Sequence, residues 1–169
     1  MNWNTINIRS ARMTLKPFTS ADADDAFSCI TPSLTRFMSW DPPASREEFD
    51  QVWRAWLLTI QDGSDFVFVS RSAVDNQFLG LVGLHRAQTE NPELGIWIRE
   101  DRHGNGFGRE AVTAVADWAS THLKPSSFSY PVAEQNGASR RIAESLGGVA
   151  VAQRADRKYH AVIYQIPPQ

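Results

Sequence analysis

Cysteine is nearly absent from this chain of 169 residues: Cys29 stands alone, so no disulfide can close within it, and such a composition suits a reducing compartment. Long hydrophobic runs are missing as well. The unbroken apolar stretches fall far short of the ~20 residues needed to span a bilayer as a helix. The opening Met1-Asn2-Trp3-Asn4 lacks the apolar segment of a secretory signal. A cytoplasmic, soluble protein with no membrane partner is therefore expected. Nor is charge of one sign concentrated anywhere. Seventeen basic and nineteen acidic residues leave a net charge of −2 with no basic block, which argues against nucleic acid as a main partner. Repeats, low-complexity tracts and linkers are also lacking, and a 42% hydrophobic composition at this length suits one domain over residues 1–169.

What is present reads as alternating short elements. Met13 and Leu15 alternate with polar neighbours in a first strand, Arg12 to Pro17. Thr19 with Asp22 resembles a capping box before a helix carrying Ala23, Ala26, Phe27 and Ile30, which Pro32 is expected to stop. A proline-containing loop, Trp40-Asp41-Pro42-Pro43, follows. Ser45 and Glu48 then open a longer helix with Phe49, Val52, Trp53, Trp56, Leu57 and Ile60 on one face, closed by Gly63. Strands are predicted over 65–70, 78–85 and 93–99, a helix after residue 108, and a strand over 128–133. A short helix starting at Asn136 and a final antiparallel pair over 149–153 and 159–166 complete the chain. This order is that of an α+β domain. Six tryptophans are many for the length, but most fall at helical or strand spacing and read as core.

The most informative stretch is Arg102-His103-Gly104-Asn105-Gly106-Phe107-Gly108-Arg109. It stands between the strand ending near Ile98 and the following helix. Glycines there permit positive φ and close approach, and a helix start offers unpaired N–H groups with partial positive charge. Together these make a seat for phosphate or pyrophosphate. A dinucleotide fingerprint would need glycine at Arg109, and a P-loop would need glycine there followed by lysine, so both patterns fail. An ordinary glycine turn before a helix fits the loop equally well when it is taken alone.

Two segments together resemble one family. His103-x-x-Gly106-x-Gly108 is similar to the Q/R-x-x-G-x-G/A loop of the GCN5-related N-acetyltransferases (GNAT), with His103 in place of the usual Gln or Arg. Asn136-Gly137-Ala138-Ser139, with Glu144 and Gly147 beyond, resembles the N-x-x-S-x-x-x-x-E-x-x-G segment of the RimJ/RimL-like branch. The resemblance implies a single GNAT-type domain: a mixed, mostly antiparallel sheet of six to seven strands flanked by about four helices. It implies acetyl-coenzyme A as co-substrate, no metal, and a protein N-terminus or small-molecule amine as acceptor. It also suggests a homodimer, since related proteins often form one.

By the same resemblance the cofactor is expected to lie against Trp97, Ile98, Arg99, His103, Gly104, Asn105, Gly106, Phe107, Gly108, Arg109 and Asn136. Ile98 is the favoured backbone donor beside the thioester. Asn136 also reads as a helix N-cap, and the two roles are compatible. Ser139 is a candidate general acid or simply a capping neighbour. Glu93 is the leading candidate base because its strand runs beside the expected acetyl position, although a solvated strand-end carboxylate is the alternative. His85 is the second candidate, as an imidazole titrating near neutrality or as a capped or core histidine. Tyr130 reads as an acceptor-side group or a buried strand aromatic, and Cys29 lies on a core-like helix face with no motif around it. The loop from Phe37 to Pro43 is expected to wall the amine site, with Asp41 drawing a cation. An α-amine is roughly 10–15% neutral at pH 7 against under ~0.1% for lysine, so it asks less of a base. A non-catalytic acyl-CoA-binding module remains the rival reading.

Overall fold

The capping signals mark real helix starts. In the computed structural model, which describes residues 1–169, Ser45 Oγ accepts the N–H of Glu48 at 3.1 Å, and the Glu48 carboxylate reaches back to the Ala44 amide at 3.2 Å. Helix α3 (Arg46–Asp62) follows and ends at Gly63 with φ 76°, a left-handed position that closes helices at little cost for glycine. Its buried stripe is Phe49, Trp53 and Ile60. Helix α1 (Ala23–Cys29) buries Ala23 and Ala26. Pro32 does not act as a stop: α1 has already ended, and the proline starts the four-residue α2 (Pro32–Thr35) beneath a Thr31 cap. Proline is well suited to that first position, because the N–H it lacks would have had no partner. Helices α4 (Phe107–His122) and α5 (Gly137–Ser145) complete the set.

Eight strands form one sheet. In chain order they are β1 (Ile8–Arg9), β2 (Met13–Pro17), β3 (Phe66–Ser72), β4 (Phe78–His85), β5 (Glu93–Ile98), β6 (Phe128–Ala133), β7 (Val149–Ala155) and β8 (His160–Ile166). Their spatial order is β1-β2-β3-β4-β5-β6-β8-β7. Every neighbouring pair is antiparallel except β5 and β6, which run parallel across the α4 connection. The architecture is the expected α+β one. The strand count exceeds the expected six to seven because β1 has only two residues, too few to show alternation. The helix count exceeds four because of α2.

One core fills both faces of the sheet. Helix α4 buries Ala111, Val112, Val115, Ala116 and Ala119 against it, and Trp118 meets Phe66 and Phe68 edge-on at 5.8 and 5.7 Å. Trp53 and Trp56 pack on Phe18, and Trp97 on Phe78. Trp40 stands apart, 37% exposed. No helix is long and apolar enough to cross a membrane.

The feature that positions the site lies in the sheet's middle. β5 and β6 pair at one rung, Glu93 with Ser129. From there β6 continues beside β8, while β5 stays on β4 through Ile98. The two parallel strands therefore diverge and leave a wedge-shaped gap. Arg99 N–H donates to Leu79 O at 2.8 Å, which fixes the phase of the β4–β5 ladder. By alternation, Trp97 also turns its amide toward β4, whereas Ile96 and Ile98 turn theirs into the gap.

Candidate active site

After Ile98 the chain makes a short turn of 3-10 helix, Glu100–Arg102, and then enters the glycine loop. Gly104 and Gly106 have φ values of 79° and 77°, which strain any residue bearing a Cβ. Gly106 occupies the N-cap of α4, and the first intrahelical bond is Glu110 N–H to Gly106 O. The N–H groups of Gly104 through Arg109 consequently have no acceptor in the protein. A Cβ on Gly108 would lie 3.2 Å from Ile142 Cδ1, so glycine there lets α4 approach α5 and the gap closely.

The loop is held from behind. The Arg12 guanidinium bonds Glu110 at 2.7 Å and Asn105 O at 3.0 Å, and lies 4.3 Å above the Phe107 ring. Burial pushes the Glu110 carboxyl up, but hydrogen bonds from the Ser10 hydroxyl and from Arg12 outweigh it and hold the group below its ordinary range. On the other flank Glu100 accepts from Thr31 and Ser33, which hold its carboxyl low and tie α2 to the turn.

A groove of about 580 Å³ runs from this loop along the β5–β6 gap. Arg36, Arg102, Arg109 and Arg141 line it, and no carboxylate does. In a chain of net charge −2 that is a local excess of positive charge. Unpaired loop amides, four guanidinium groups and an apolar continuation along Ile96 and Ile98 fit a diphosphate ligand with an elongated tail.

Most of the residues expected to contact cofactor line this groove: Trp97, Ile98, His103, Gly104, Gly106, Phe107, Gly108, Arg109 and Asn136. Two do not. Arg99 gives its amide to Leu79 and its guanidinium to Asp101 and Phe78 O. Asn105 bonds back to the carbonyls of Arg102 and His103. His103 lines the groove, yet its amide is committed to Glu100 O and its Nε2–H donates to Ile98 O at 2.6 Å. Its ring therefore pins the loop to the end of β5, and the unpaired N–H groups are those of the residues that follow. Asn136 accepts the Ser139 N–H at 3.2 Å as a helix cap, which leaves its Nδ2 donors for the groove.

Ser139 also lines the groove, and its Oγ lies 2.6 Å from the Tyr130 hydroxyl. Tyr130 is buried, and burial pushes its hydroxyl up to about 12 despite the Ser139 bond. It is thus a strand aromatic whose polar end reaches the site through a serine.

A second cavity, about 600 Å³, opens on the other face of the sheet beneath α3. Met38, Ile96 and Trp97 belong to both cavities and form the neck between them. The loop from Phe37 to Pro43 walls both sides: Phe37 and Met38 toward the first cavity, and Met38, Trp40, Asp41, Pro42 and Pro43 toward the second. Asp41 is not free to draw a cation, because Arg157 and Lys158 already bind it at 2.6 and 3.1 Å and hold its carboxyl low.

The two candidate bases sit opposite each other on β4 and β5, His85 facing Glu93 in register. His85 lines the second cavity, whereas Glu93 lines neither cavity and is engaged by Arg86 at 3.4 Å. His85 Nδ1 is 3.2 Å from Asp65 Oδ1. An ionised carboxylate only accepts, so Nδ1 carries the proton and a neutral ring keeps its lone pair on Nε2. Cys29 is partly buried and lines neither cavity. Sequence reasoning missed Asp65, Arg36 and Arg141. The Arg140-Arg141 pair directly after Ser139 was a usable signal, whereas nothing local ties Asp65 to a histidine twenty residues on.

Comparison with known proteins places this arrangement. The N-acetyltransferase 9-like protein of Caenorhabditis briggsae is 25% identical over 149 residues, covering 82% of this chain and 75% of that protein. RimL, the ribosomal L7/L12 alpha-N-protein acetyltransferase, solved with coenzyme A, superposes with a TM-score of 0.85 at 15% identity, covering 96% of this chain and 98% of RimL. Spermidine N-acetyltransferase from Vibrio cholerae, solved with CoA and spermine, gives 0.81 at 20% identity over 94% of this chain and 97% of that one. The model of the acetyltransferase (GNAT) domain matches residues 12–149, and the chain belongs to the GNAT acetyltransferase family.

Proposed function

We propose that the protein transfers the acetyl group of acetyl-coenzyme A to a primary amine by direct attack, with both substrates bound together. The reading is carried by two unlike cavities meeting at Met38, Ile96 and Trp97: one rich in anion donors, the other apolar with an imidazole. Bound in the first cavity, the co-substrate supplies a thioester carbonyl as the electrophile. The amides of Gly104 and of Gly106 through Arg109 hold its diphosphate, and the arginines add charge. Asn136 Nδ2 and the free amides of Ile96 and Ile98 hold the tail. The Ile98 N–H also donates to the carbonyl oxygen as that atom gains negative charge.

The amine enters from the second cavity, and His85 Nε2 accepts its proton, directly or through one water. Asp65 orients the imidazole. Ser139 Oγ–H delivers a proton to the departing sulfur, a modest demand because a thiol titrates near ~8.5. The Tyr130 hydroxyl, kept protonated by burial, donates to Ser139 and turns the serine proton outward. Holding the two reactants at the neck removes the entropic cost of a bimolecular encounter. The position of His85 in the second cavity favours turnover over a purely binding role.

Two structural relatives act on a protein N-terminus and on a polyamine, so amines of both kinds belong in the first screen. Release of free thiol from acetyl-CoA, dependent on an added amine, is the expected result. Tight CoA binding with no thiol release for any amine would overturn the activity.

A further inference from the structure

Resting on that reading, the shape and charge of the second cavity narrow the acceptor. We infer that it takes a primary amine attached to an aromatic or bulky apolar body and carrying a single positive charge. Three observations lead there.

The walls are apolar and uncovered. Trp40 and Val52 are 37% and 40% exposed although both are large and hydrophobic, and Phe49 and Trp56 stand beside them. Apolar surface held open in a cleft gains from being covered by a ligand of like chemistry.

The floor has a slot. Gly83 and Gly95 face each other across β4 and β5 on the cavity side. A Cβ built on Gly95 meets nothing within 4 Å, whereas one on Gly83 would strike the His85 ring, whose Nε2 lies 2.5 Å away. The absent side chain at Gly83 makes room for the His85 ring, and the one at Gly95 leaves a recess between Trp97 and that ring. A planar ring seated on Gly95 lies beside the imidazole that takes the proton and beside the neck through which the acetyl group arrives.

The charge is sparse. The titratable groups reaching the cavity are Asp41, Glu48 and His85. Arg157 and Lys158 compensate Asp41, while Glu48 caps the start of α3 and has no cationic partner. One uncompensated carboxylate lining the cavity draws in a single ammonium before His85 takes its proton. A polyamine would leave its further charges against tryptophan and valine with no counter-charge, which is costly.

The same ligand chemistry exists in a free arylalkylamine and in a peptide whose first residue is aromatic. The test measures kcat/KM by thiol release, at fixed acetyl-CoA, for 2-phenylethylamine, tryptamine, butylamine, spermidine and tripeptides beginning with Phe or Ser. Either aromatic monoamine, or the Phe-first peptide, should exceed spermidine and its own non-aromatic counterpart at least tenfold. The better of the two identifies the source. Spermidine or the Ser-first peptide ranking first overturns the inference and leaves the acetyltransferase reading intact; no thiol from any amine overturns both. Gly95→Val should raise KM for the preferred aromatic substrate at least tenfold with CoA affinity unchanged, and an unchanged KM would remove the slot. Val52→Glu, at an exposed helix position, adds a second carboxylate and should raise spermidine kcat/KM severalfold; no rise would refute the charge argument.

Discussion

Gly106 offers the sharpest test of the phosphate seat. Its φ of 77° places it where an L side chain is strained, so Gly106→Ala should cost about 1–2 kcal/mol of stability. For a domain of this size that lowers Tm by roughly 2–8 °C. Space is not the issue, since the nearest atom to a new Cβ is Arg12 Nη2 at 3.6 Å. If the backbone relaxes toward negative φ, at least one of the unpaired amides swings off the diphosphate. A hydrogen bond to a charged group contributes ~1.5–3 kcal/mol, so Kd for CoA should rise roughly 10- to 150-fold. Gly147→Ala supplies the control: its φ is 82°, its nearest neighbour is Pro167 at 3.2 Å, and it does not line the groove. Calorimetric titration with CoA, paired with thermal unfolding of both variants, separates strain from binding. Equal Kd values for the two variants, with both melting early, would refute the assignment of the loop amides to phosphate.

His85→Gln should lower kcat by roughly 10²- to 10⁴-fold with CoA affinity unchanged by calorimetry; a Glu93→Gln enzyme that suffers more would return the base to β5. Tyr130→Phe removes a buried hydroxyl that bonds Ser139, and should cost about 0.5–1.5 kcal/mol in denaturant unfolding while reducing kcat and sparing Kd for CoA. The Glu110 carboxyl is held below its ordinary value in the folded chain, so its contribution is complete above ~4.3 and disappears as pH falls through the folded value. Glu110→Gln should therefore be less stable than the parent at pH 7 by about 1–3 kcal/mol. Unfolding curves at successive pH values should show that difference closing on acidification, and a widening gap would reverse the sign of the argument.

Local chemistry explains what was readable in advance. The glycine loop, the Asn136 cap and the paired Ser45 and Glu48 each encode their geometry within a few residues, and the structure has them where the spacing put them. Pro32 misled because a residue that ends one helix is equally suited to begin the next. Every residue of β7 is exposed, so only β-branched content and the flanking turns marked it. The site was harder to read. That Trp97 and Arg99 give their amides to β4 while Ile98 does not depends on ladder phase, which is set by a partner strand. Whether Glu93 or His85 reaches the amine depends on which side chain borders a cavity roofed by α3, and Asp65 meets His85 only because β3 lies beside β4.

The divergence of β5 and β6 has a thermodynamic consequence. A sheet with a seam unzipped at its centre is incomplete as folded, and an occupant that fills the seam becomes part of what keeps the chain folded. At a hundredfold excess of ligand over Kd, mass action adds about 2.7 kcal/mol to the native state, or roughly 5–10 °C in melting temperature for a domain this large. If coenzyme A is that occupant, depletion of its whole pool, acylated and free, would do more than slow turnover: it would lower the stability of the folded chain.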